Sequence, residues 1–281
     1  MNIARTKRIA HAAPRPATVI SSMARALLLD IDGVLTVSWR PLPGAVETVR
    51  WLRERRIPFG LVTNTSSRPR REIAATLGDA GMEIAAAQIF TAVSSAARFL
   101  SGRYPGARCL VVNEGSLDED LDGIDVIGPG SDSPDVVLLG GAGPSVGYRE
   151  LDRVFKLASD GVPVVALHRN TRFQTADGPG LDMGAFIVGL EAAAGIDIAV
   201  LGKPAAAFFG GALAALGAEA NETIMVGDDI ESDVRGGQAV GMTGVLVRTG
   251  KFRPRDLETQ GSPPDHVIDD VGQLPELWRQ R

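Results

Sequence analysis

Residues 26–33, with the sequence Ala-Leu-Leu-Leu-Asp-Ile-Asp-Gly, constrain the fold of this chain more than any other segment. The apolar run predicts a buried strand that ends at two acidic residues, Asp30 and Asp32. Crowded carboxylates repel each other unless a cation or a shared proton relieves the repulsion. We therefore interpret Asp30 and Asp32 as the first candidates for chemistry.

Three further apolar runs also end in polar side chains. They are Phe59-Gly-Leu-Val-Thr63-Asn64-Thr65-Ser66, Ala199-Val-Leu-Gly-Lys203-Pro204 and Thr223-Ile-Met-Val-Gly227-Asp228-Asp229, and the last is followed by Asp233. Ligands of open α/β sheets bind at the carboxyl ends of the strands, so four such ends predict one shared crevice. A lysine, hydroxyl groups and several acids in one crevice indicate a phosphate group together with a divalent cation.

Strand-like runs alternate with helical segments, which is typical of a mostly parallel sheet covered by helices. In the predicted core, strands cover residues 26–30, 59–63, 223–227 and 243–247, and helices start near residues 44, 68, 205 and 232. A second alternating block has strands near residues 108–112, 136–139 and 162–167, and helices near residues 148–159 and 182–194. About a hundred residues with their own strands and helices can form a separate domain, so we place a cap domain at residues 92–197.

Four segments together resemble motifs I to IV of the haloacid dehalogenase (HAD) superfamily, in the order of that superfamily. They are Asp30-Ile-Asp-Gly-Val-Leu35, Val62-Thr-Asn-Thr-Ser66, Gly202-Lys-Pro204 and Gly227-Asp-Asp-Ile-Glu-Ser-Asp233. The long interval between the second and third segments is similar to subclass IIA, in which a large α/β cap is inserted. The resemblance implies a Rossmann-like three-layer core, residues 24–91 and 198–281, with a mostly parallel sheet and the inserted cap.

Residues 241–253, Gly-Met-Thr-Gly-Val-Leu-Val-Arg-Thr-Gly-Lys-Phe-Arg, resemble one branch of subclass IIA. That branch includes haloacid dehalogenase-like hydrolase domain-containing protein 2 and phospholysine phosphohistidine inorganic pyrophosphate phosphatase. Thr65 stands where many subclass IIA members have a second asparagine, a difference shared with this branch.

Composition limits the classes of protein to which the chain can belong. Residues 1–25 carry five basic residues and no acidic ones, whereas the rest of the chain has 24 basic and 34 acidic residues. We interpret residues 1–23 as a disordered extension or as sequence upstream of a start at Met23, and the acidic remainder argues against general nucleic-acid binding. No apolar segment approaches the roughly 20 residues that span a bilayer. The single cysteine, Cys109, excludes an internal disulfide and fits a reducing compartment, so we expect a cytoplasmic protein.

The resemblance implies a phosphoryl-transfer role for each polar side chain in motifs I to III. Asp30 would attack phosphorus to give an aspartyl-phosphate, and Asp32 would protonate the leaving oxygen and then deprotonate the hydrolytic water. The second acid favours phosphoryl transfer over cleavage of carbon–halogen bonds. Thr63 would bind a phosphoryl oxygen, Asn64 would orient the nucleophile or the substrate, and Lys203 would neutralise the phosphate.

The resemblance also implies a magnesium site. Asp228, Asp30 and the main-chain carbonyl of Asp32 would bind Mg²⁺, with water and a phosphate oxygen completing an octahedron. Asp233 would orient a metal-bound water or Lys203. We interpret Asp229 mainly as a helix cap.

The cap is expected to recognise the leaving group, because a lid over the phosphate excludes water. We predict leaving-group contacts from His168, Arg169 and Asn170, with an exposed loop that makes no contact as the open alternative. The expected partner is a small phosphorylated metabolite, and relatives with this cap are often homodimers through it. A phosphohistidine, phospholysine or inorganic pyrophosphate phosphatase and a non-enzymatic phosphometabolite-binding regulator remain open alternatives.

Overall fold

The computed structural model describes residues 24–128, 130–131, 133–175, 178–258 and 260–279 of the 281-residue chain. The predicted extension at residues 1–23, with Met23 as an alternative start, lies outside the described residues. Within the described ranges, no helix combines the length and the apolar character needed to cross a membrane.

The described residues contain eight α-helices, which lie mainly between the strands. They are α1 Ala45–Glu54, α2 Arg70–Asp79, α3 Ala92–Arg103, α4 Tyr148–Ser159, α5 Met183–Ala194, α6 Ala206–Leu216, α7 Gly236–Ala239 and α8 Leu274–Arg279. A π-helical segment, Ile230–Arg235, leads into α7.

The strands form two larger sheets and two hairpins. They are β1 Ala26–Asp30, β2 Thr36–Val37, β3 Arg40–Pro41, β4 Phe59–Thr63, β5 Ile89–Thr91, β6 Arg108–Val112, β7 Asp125–Ile127, β8 Val136–Leu139, β9 Val164–Ala166, β10 Arg172–Thr175, β11 Gly178–Leu181, β12 Ala199–Val200, β13 Thr223–Gly227, β14 Thr243–Val247 and β15 His266–Ile268. The first sheet has the order β15-β14-β13-β1-β4-β5, and the second has the order β12-β9-β8-β6-β7. All pairs within these two sheets are parallel, whereas β2-β3 and β10-β11 are antiparallel hairpins.

Strand β1 is apolar at its first four positions and does not alternate between apolar and polar residues. Leu27 and Leu29 pack into one hydrophobic cluster with α1 and α2, and Leu28 packs on the other face against Phe208 and Phe209 of α6. Because successive side chains of a strand point to opposite faces, a sheet covered on both sides requires apolar residues at every position. The predicted α/β class with a three-layer core is therefore confirmed.

The order of the first sheet determines where the motifs meet. β1 lies between β13 and β4, so the order of the strands reverses at the centre of the sheet. This arrangement opens a crevice at the carboxyl ends of these strands. Asp30, Thr63 and Asp228 lie at or directly after the three carboxyl ends.

Several predicted elements have the observed limits, including β1, β4, β6, β8, β13, β14 and α4. The strand predicted at residues 162–167 is shorter, Val164–Ala166, and the helix predicted from Ser232 begins instead as the π-helical segment at Ile230. The second sheet includes Ala199–Val200, which pair with β9 and lie beyond the predicted cap limit at residue 197. The division into domains otherwise stays a prediction.

Candidate active site

The predicted motif residues line a cavity of about 440 Å³ at the carboxyl ends of β1, β4 and β13. Residues that follow strands of the second sheet also line it, including His168 after β9. The β2–β3 hairpin supplies Val37, Ser38 and Trp39. The first sheet, this hairpin and the inserted segment therefore together form the walls of the cavity.

Lys203 lies between two acids from different strand ends. Its ammonium nitrogen is 2.7 Å from Asp30 Oδ1 and 2.7 Å from Asp233 Oδ1, and its side chain is only 3% exposed. Burial acts to lower the pKa of Lys203, but the charges of Asp233 and Asp30 outweigh it and the pKa is raised. Burial and the nearby Asp30 raise the pKa of Asp233 to about 7. Lys203 therefore stays charged and compensates the negative charge around Asp30.

The acidic side chains fit a divalent cation. Asp30, Asp228 and Asp233 each offer a carboxylate oxygen within 4.8 Å of the others. Asp228 Oδ1 is buried and accepts no hydrogen bond from any described residue. Burial and the charge of Asp30 raise the pKa of Asp228 well above its usual value. Hard oxygen ligands in such a cluster suit Mg²⁺, and a cation would remove the electrostatic cost of keeping them ionised.

Two loops hold the other oxygen of Asp228. A Cβ atom added at Gly33, where φ is +95°, would lie 2.0 Å from Asp228 Oδ2, and one added at Gly250 would lie 2.1 Å from it. The backbone N–H of Lys251 donates to this oxygen at 2.6 Å. Only glycine allows both backbones to approach so closely, so the loops orient the carboxylate and leave Oδ1 available to a cation.

A chain of hydroxyl groups leads to Asp32. The Thr63 hydroxyl donates to Thr65 Oγ1 at 2.9 Å, and the Thr65 hydroxyl donates to Asp32 Oδ2 at 2.8 Å. The backbone N–H of Thr65 donates back to Thr63 Oγ1 at 3.0 Å. Both hydroxyl bonds therefore run towards Asp32, with Asp32 Oδ2 as the final acceptor. Thr65, which sequence reasoning treated only as a departure from the family pattern, thus positions the predicted acid/base.

We expect Thr65→Val to lower kcat about 10-fold, because a hydrogen bond to a carboxylate contributes roughly 1.5 kcal/mol or more. Steady-state hydrolysis of 4-nitrophenyl phosphate measures the change. Thr65→Ser keeps the hydroxyl and serves as the matched control that retains most of the rate. Equal rates for the valine and serine variants would contradict a positioning role of the hydroxyl.

Asn64 contacts the backbone of Lys203 with both polar atoms of its side chain. Its Nδ2 donates to the Lys203 carbonyl at 3.0 Å, and its Oδ1 accepts from the Lys203 N–H at 2.9 Å. These two bonds hold the lysine segment in place. The amide nitrogen carries a second N–H donor and Asn64 lines the cavity, so its role in orienting the nucleophile or the substrate stays a prediction.

The structure brings two of the three predicted cap residues to the cavity. His168 and Asn170 line it, but Arg169 does not. The Arg169 guanidinium is exposed and pairs with Glu191 of α5, with one nitrogen 2.8 Å from Glu191 Oε1. The prediction that Arg169 contacts the leaving group therefore finds no support, because adjacent residues after a strand point in different directions.

Other residues appear at the site without having been predicted. Glu114, Phe173 and Lys251 line the cavity. The position of Lys251 soon after β14 is the sequence signal that could have found it, because the same rule of strand ends applies there. Asp229 caps the π-helical segment, since its Oδ1 accepts from the N–H groups of Glu231 and Ser232 at 3.0 and 3.1 Å.

Comparisons with known proteins identify the family. A family model described as haloacid dehalogenase-like hydrolase matches residues 27–127, and a second one, described as HAD-hydrolase-like, matches residues 200–274. Haloacid dehalogenase-like hydrolase domain-containing protein 2 from Homo sapiens is 34% identical over 254 residues, which cover 88% of this chain and 95% of the human protein. This chain belongs to the haloacid dehalogenase-like hydrolase family.

Further relatives of this HAD hydrolase are phosphatases by name. Phospholysine phosphohistidine inorganic pyrophosphate phosphatase from Rattus norvegicus is 34% identical over 266 residues, covering 92% of this chain and 96% of the rat protein. The solved p-nitrophenyl phosphatase from Archaeoglobus fulgidus superposes with a TM-score of 0.82 at 29% identity, covering 90% of this chain and 98% of that one. A glycerol phosphate phosphatase from Mycobacterium tuberculosis, solved in complex with magnesium, superposes with a TM-score of 0.80 at 29% identity. The superposition covers 92% of this chain and 78% of that one. The predicted resemblance to HAD subclass IIA is confirmed.

Proposed function

We propose that this HAD-family phosphatase is Mg²⁺-dependent and hydrolyses a small phosphorylated metabolite through an aspartyl-phosphate on Asp30. The observation that carries the proposal is the position of Lys203, whose ammonium nitrogen is 2.7 Å from both Asp30 and Asp233. These two acids and Asp228 form the cluster that could hold a cation. Such a site concentrates positive charge around one carboxylate, which is what an anionic phosphoryl group requires in order to approach a nucleophile. A cavity of about 440 Å³ suits a metabolite-sized ligand.

In the first displacement, a carboxylate oxygen of Asp30 forms a bond to phosphorus and the bond from phosphorus to the leaving oxygen breaks. Asp32 transfers its proton to that oxygen, so the leaving group departs as a neutral alcohol. The Thr65 hydroxyl holds Asp32 in position for this transfer. Lys203 compensates the charge of Asp30 before the attack.

In the second displacement, Asp32 takes a proton from a water molecule, whose oxygen attacks the phosphorus of the aspartyl-phosphate. The bond between phosphorus and the Asp30 oxygen breaks, which releases inorganic phosphate and restores both side chains. Asp32 thus acts as an acid and then as a base. A bound Mg²⁺, held by Asp30 and Asp228 and, in our proposal, by the carbonyl of Asp32, would supply Lewis-acid stabilisation of the developing charge.

We expect Asp32→Asn to lower kcat on 4-nitrophenyl phosphate by about 10²–10⁴-fold, the range typical of general acid–base catalysis. Asparagine can still accept the Thr65 hydrogen bond but cannot exchange a proton. Asp160→Asn, the same chemical change at an exposed position after α4, is the matched control. A wild-type rate for Asp32→Asn would disprove the assigned role, and a wild-type protein inactive on a broad panel of phosphoesters with Mg²⁺ would favour a phosphometabolite-binding regulator.

A second candidate function is hydrolysis of phosphorus–nitrogen or pyrophosphate bonds. The observation that favours it is the 34% identity to the rat phospholysine phosphohistidine inorganic pyrophosphate phosphatase. The same two displacements apply, with a nitrogen or a phosphate oxygen as the leaving atom. Comparison of kcat/KM for phosphohistidine, inorganic pyrophosphate and sugar phosphates would separate the two candidates.

A further inference from the structure

Lys251 brings a second ammonium group to the cavity. It follows β14, and its backbone N–H donates to Asp228 Oδ2 at 2.6 Å. Its side chain lines the cavity and is 26% exposed, so most of it is covered by protein. The backbone contact holds this segment against the acidic cluster and so determines where the side chain begins.

The Lys251 ammonium has no close partner among the described residues. It makes no hydrogen bond to any described residue, and its single ion-pair contact is Asp229 Oδ2 at 3.9 Å. Asp229 is already engaged as a helix cap through its other oxygen. Lys203, by contrast, has two carboxylate oxygens at 2.7 Å. Burial acts to lower the pKa of Lys251, but the charges of Asp228 and Asp229 outweigh it, so the group stays charged, and without a close hydrogen-bond partner among the described residues it has donors available for a ligand.

His168 of the inserted segment lines the same cavity as Lys251. Burial lowers the pKa of His168, and the nearby charge of Lys251 lowers it further while Asp182 opposes the shift. Its Nδ1 is buried, has no hydrogen-bond partner in the described part of the chain and lies 3.9 Å from Asp182 Oδ2. The His168 ring and the Lys251 ammonium therefore both bring to the cavity a polar atom that has no hydrogen-bond partner among the described residues.

The acids of the inserted segment do not compete for Lys251. Glu114 accepts hydrogen bonds from the N–H and hydroxyl of Ser145 at 3.0 and 2.6 Å. Asp182 accepts from the N–H groups of Met183 and Ala142 at 2.8 and 3.2 Å. Each of these carboxylates therefore already accepts two hydrogen bonds from within the inserted segment.

We propose that Lys251 binds a second anionic group carried by the leaving group of the substrate, a carboxylate or a further phosphoryl group. This inference rests on the proposed function, because it takes the phosphoryl group to be transferred at Asp30. Lys203 and the acidic cluster already serve the transferred phosphoryl group. Lys251 then distinguishes doubly anionic phosphometabolites from phosphate esters of neutral alcohols.

Binding of phosphonates tests the proposal without requiring turnover. Phosphonoacetate and 2-hydroxyethylphosphonate have similar size, but only the first carries a carboxylate beyond the phosphonate. With excess Mg²⁺, we expect calorimetry to show that the wild type binds phosphonoacetate about 10-fold more tightly or better, as one charge-assisted hydrogen bond predicts. Methylenediphosphonate in place of phosphonoacetate shows whether a phosphoryl group is preferred as the second anion.

The variants isolate the ammonium group. Lys251→Met should reduce the ratio of the two dissociation constants to about 1, whereas Lys251→Arg should keep most of the preference. Lys156→Met is the matched control, because Lys156 is exposed on α4 and pairs with Asp152. Lys251→Gln provides a second neutral variant if the methionine variant does not fold.

Two results would overturn the inference. One is a wild type that binds both phosphonates equally, and the other is a Lys251→Met variant that weakens both by the same factor, since Lys251 would then serve only the common phosphoryl site. A wild type that prefers phosphonoacetate but fails to hydrolyse 4-nitrophenyl phosphate or a panel of phosphoesters would overturn the proposed function alone.

Discussion

Asp30→Asn should abolish turnover of 4-nitrophenyl phosphate, with kcat lower by about 10⁴-fold or more, the scale seen when a covalent nucleophile is removed. An amide is a poor nucleophile towards phosphorus. Asp233 is the other described carboxylate in contact with Lys203, and it is fully buried, so it cannot replace Asp30 as the nucleophile. The protein should remain folded, because asparagine has nearly the same volume and Lys203 keeps its contact with Asp233.

The measurement combines steady-state kinetics with thermal unfolding. Asp160→Asn controls for the loss of one carboxylate and should retain the wild-type rate. An acyl phosphate that is stable in acid and reducible by borohydride should be trapped on the wild type and absent from Asp30→Asn. Its detection reports the aspartyl-phosphate directly. Measurable wild-type-like turnover by Asp30→Asn would exclude Asp30 as the nucleophile.

Asp228→Asn should remove the response of the protein to Mg²⁺ in both stability and activity. In the wild type, a cation at 100 times its dissociation constant should stabilise the fold by about 2.7 kcal/mol, which for a chain of this size raises Tm by roughly 5 °C or more. The variant lacks one of the three clustered carboxylates, so the shift should largely disappear.

Without the cation, the same variant should be more stable than the wild type. The pKa of an unfolded aspartate is about 4, whereas burial and Asp30 raise that of folded Asp228. At pH 7, folding without a cation must therefore either protonate Asp228 or retain its charge beside Asp30, and either choice reduces the free energy of unfolding. Asparagine removes this cost.

Thermal unfolding after treatment with a chelator, followed by readdition of Mg²⁺, measures both effects. Chelation should also abolish hydrolysis by the wild type, and Mg²⁺ should restore it. Asp160→Asn should behave like the wild type in thermal unfolding and in hydrolysis, both with the chelator and after readdition of Mg²⁺. A normal Mg²⁺ shift in Asp228→Asn would show that the cation binds elsewhere.

Local sequence was sufficient to predict the centre of the fold. The apolar pattern of β1 and the other runs with polar ends is set by burial on both faces of a sheet, which acts on each strand separately. The rule that parallel strands bring their carboxyl ends to one edge then placed Asp30, Thr63 and Asp228 in one crevice. Short elements such as the β2–β3 hairpin escaped prediction, because two-residue strands carry no periodic pattern.

The sequence by itself determined which chemical groups this HAD hydrolase brings to the crevice, because strand burial and strand-end position are properties of short segments. Only the tertiary structure decided what each group contacts: Thr65 holds Asp32, Asn64 holds the backbone of Lys203, and Arg169 turns away to Glu191. In the part of the chain that the structure describes, it also left Lys251 with no ion-pair partner closer than Asp229, at 3.9 Å. These contacts join residues that are distant along the chain, and hydrogen bonds depend on positions to within a few tenths of an ångström, which no local pattern specifies.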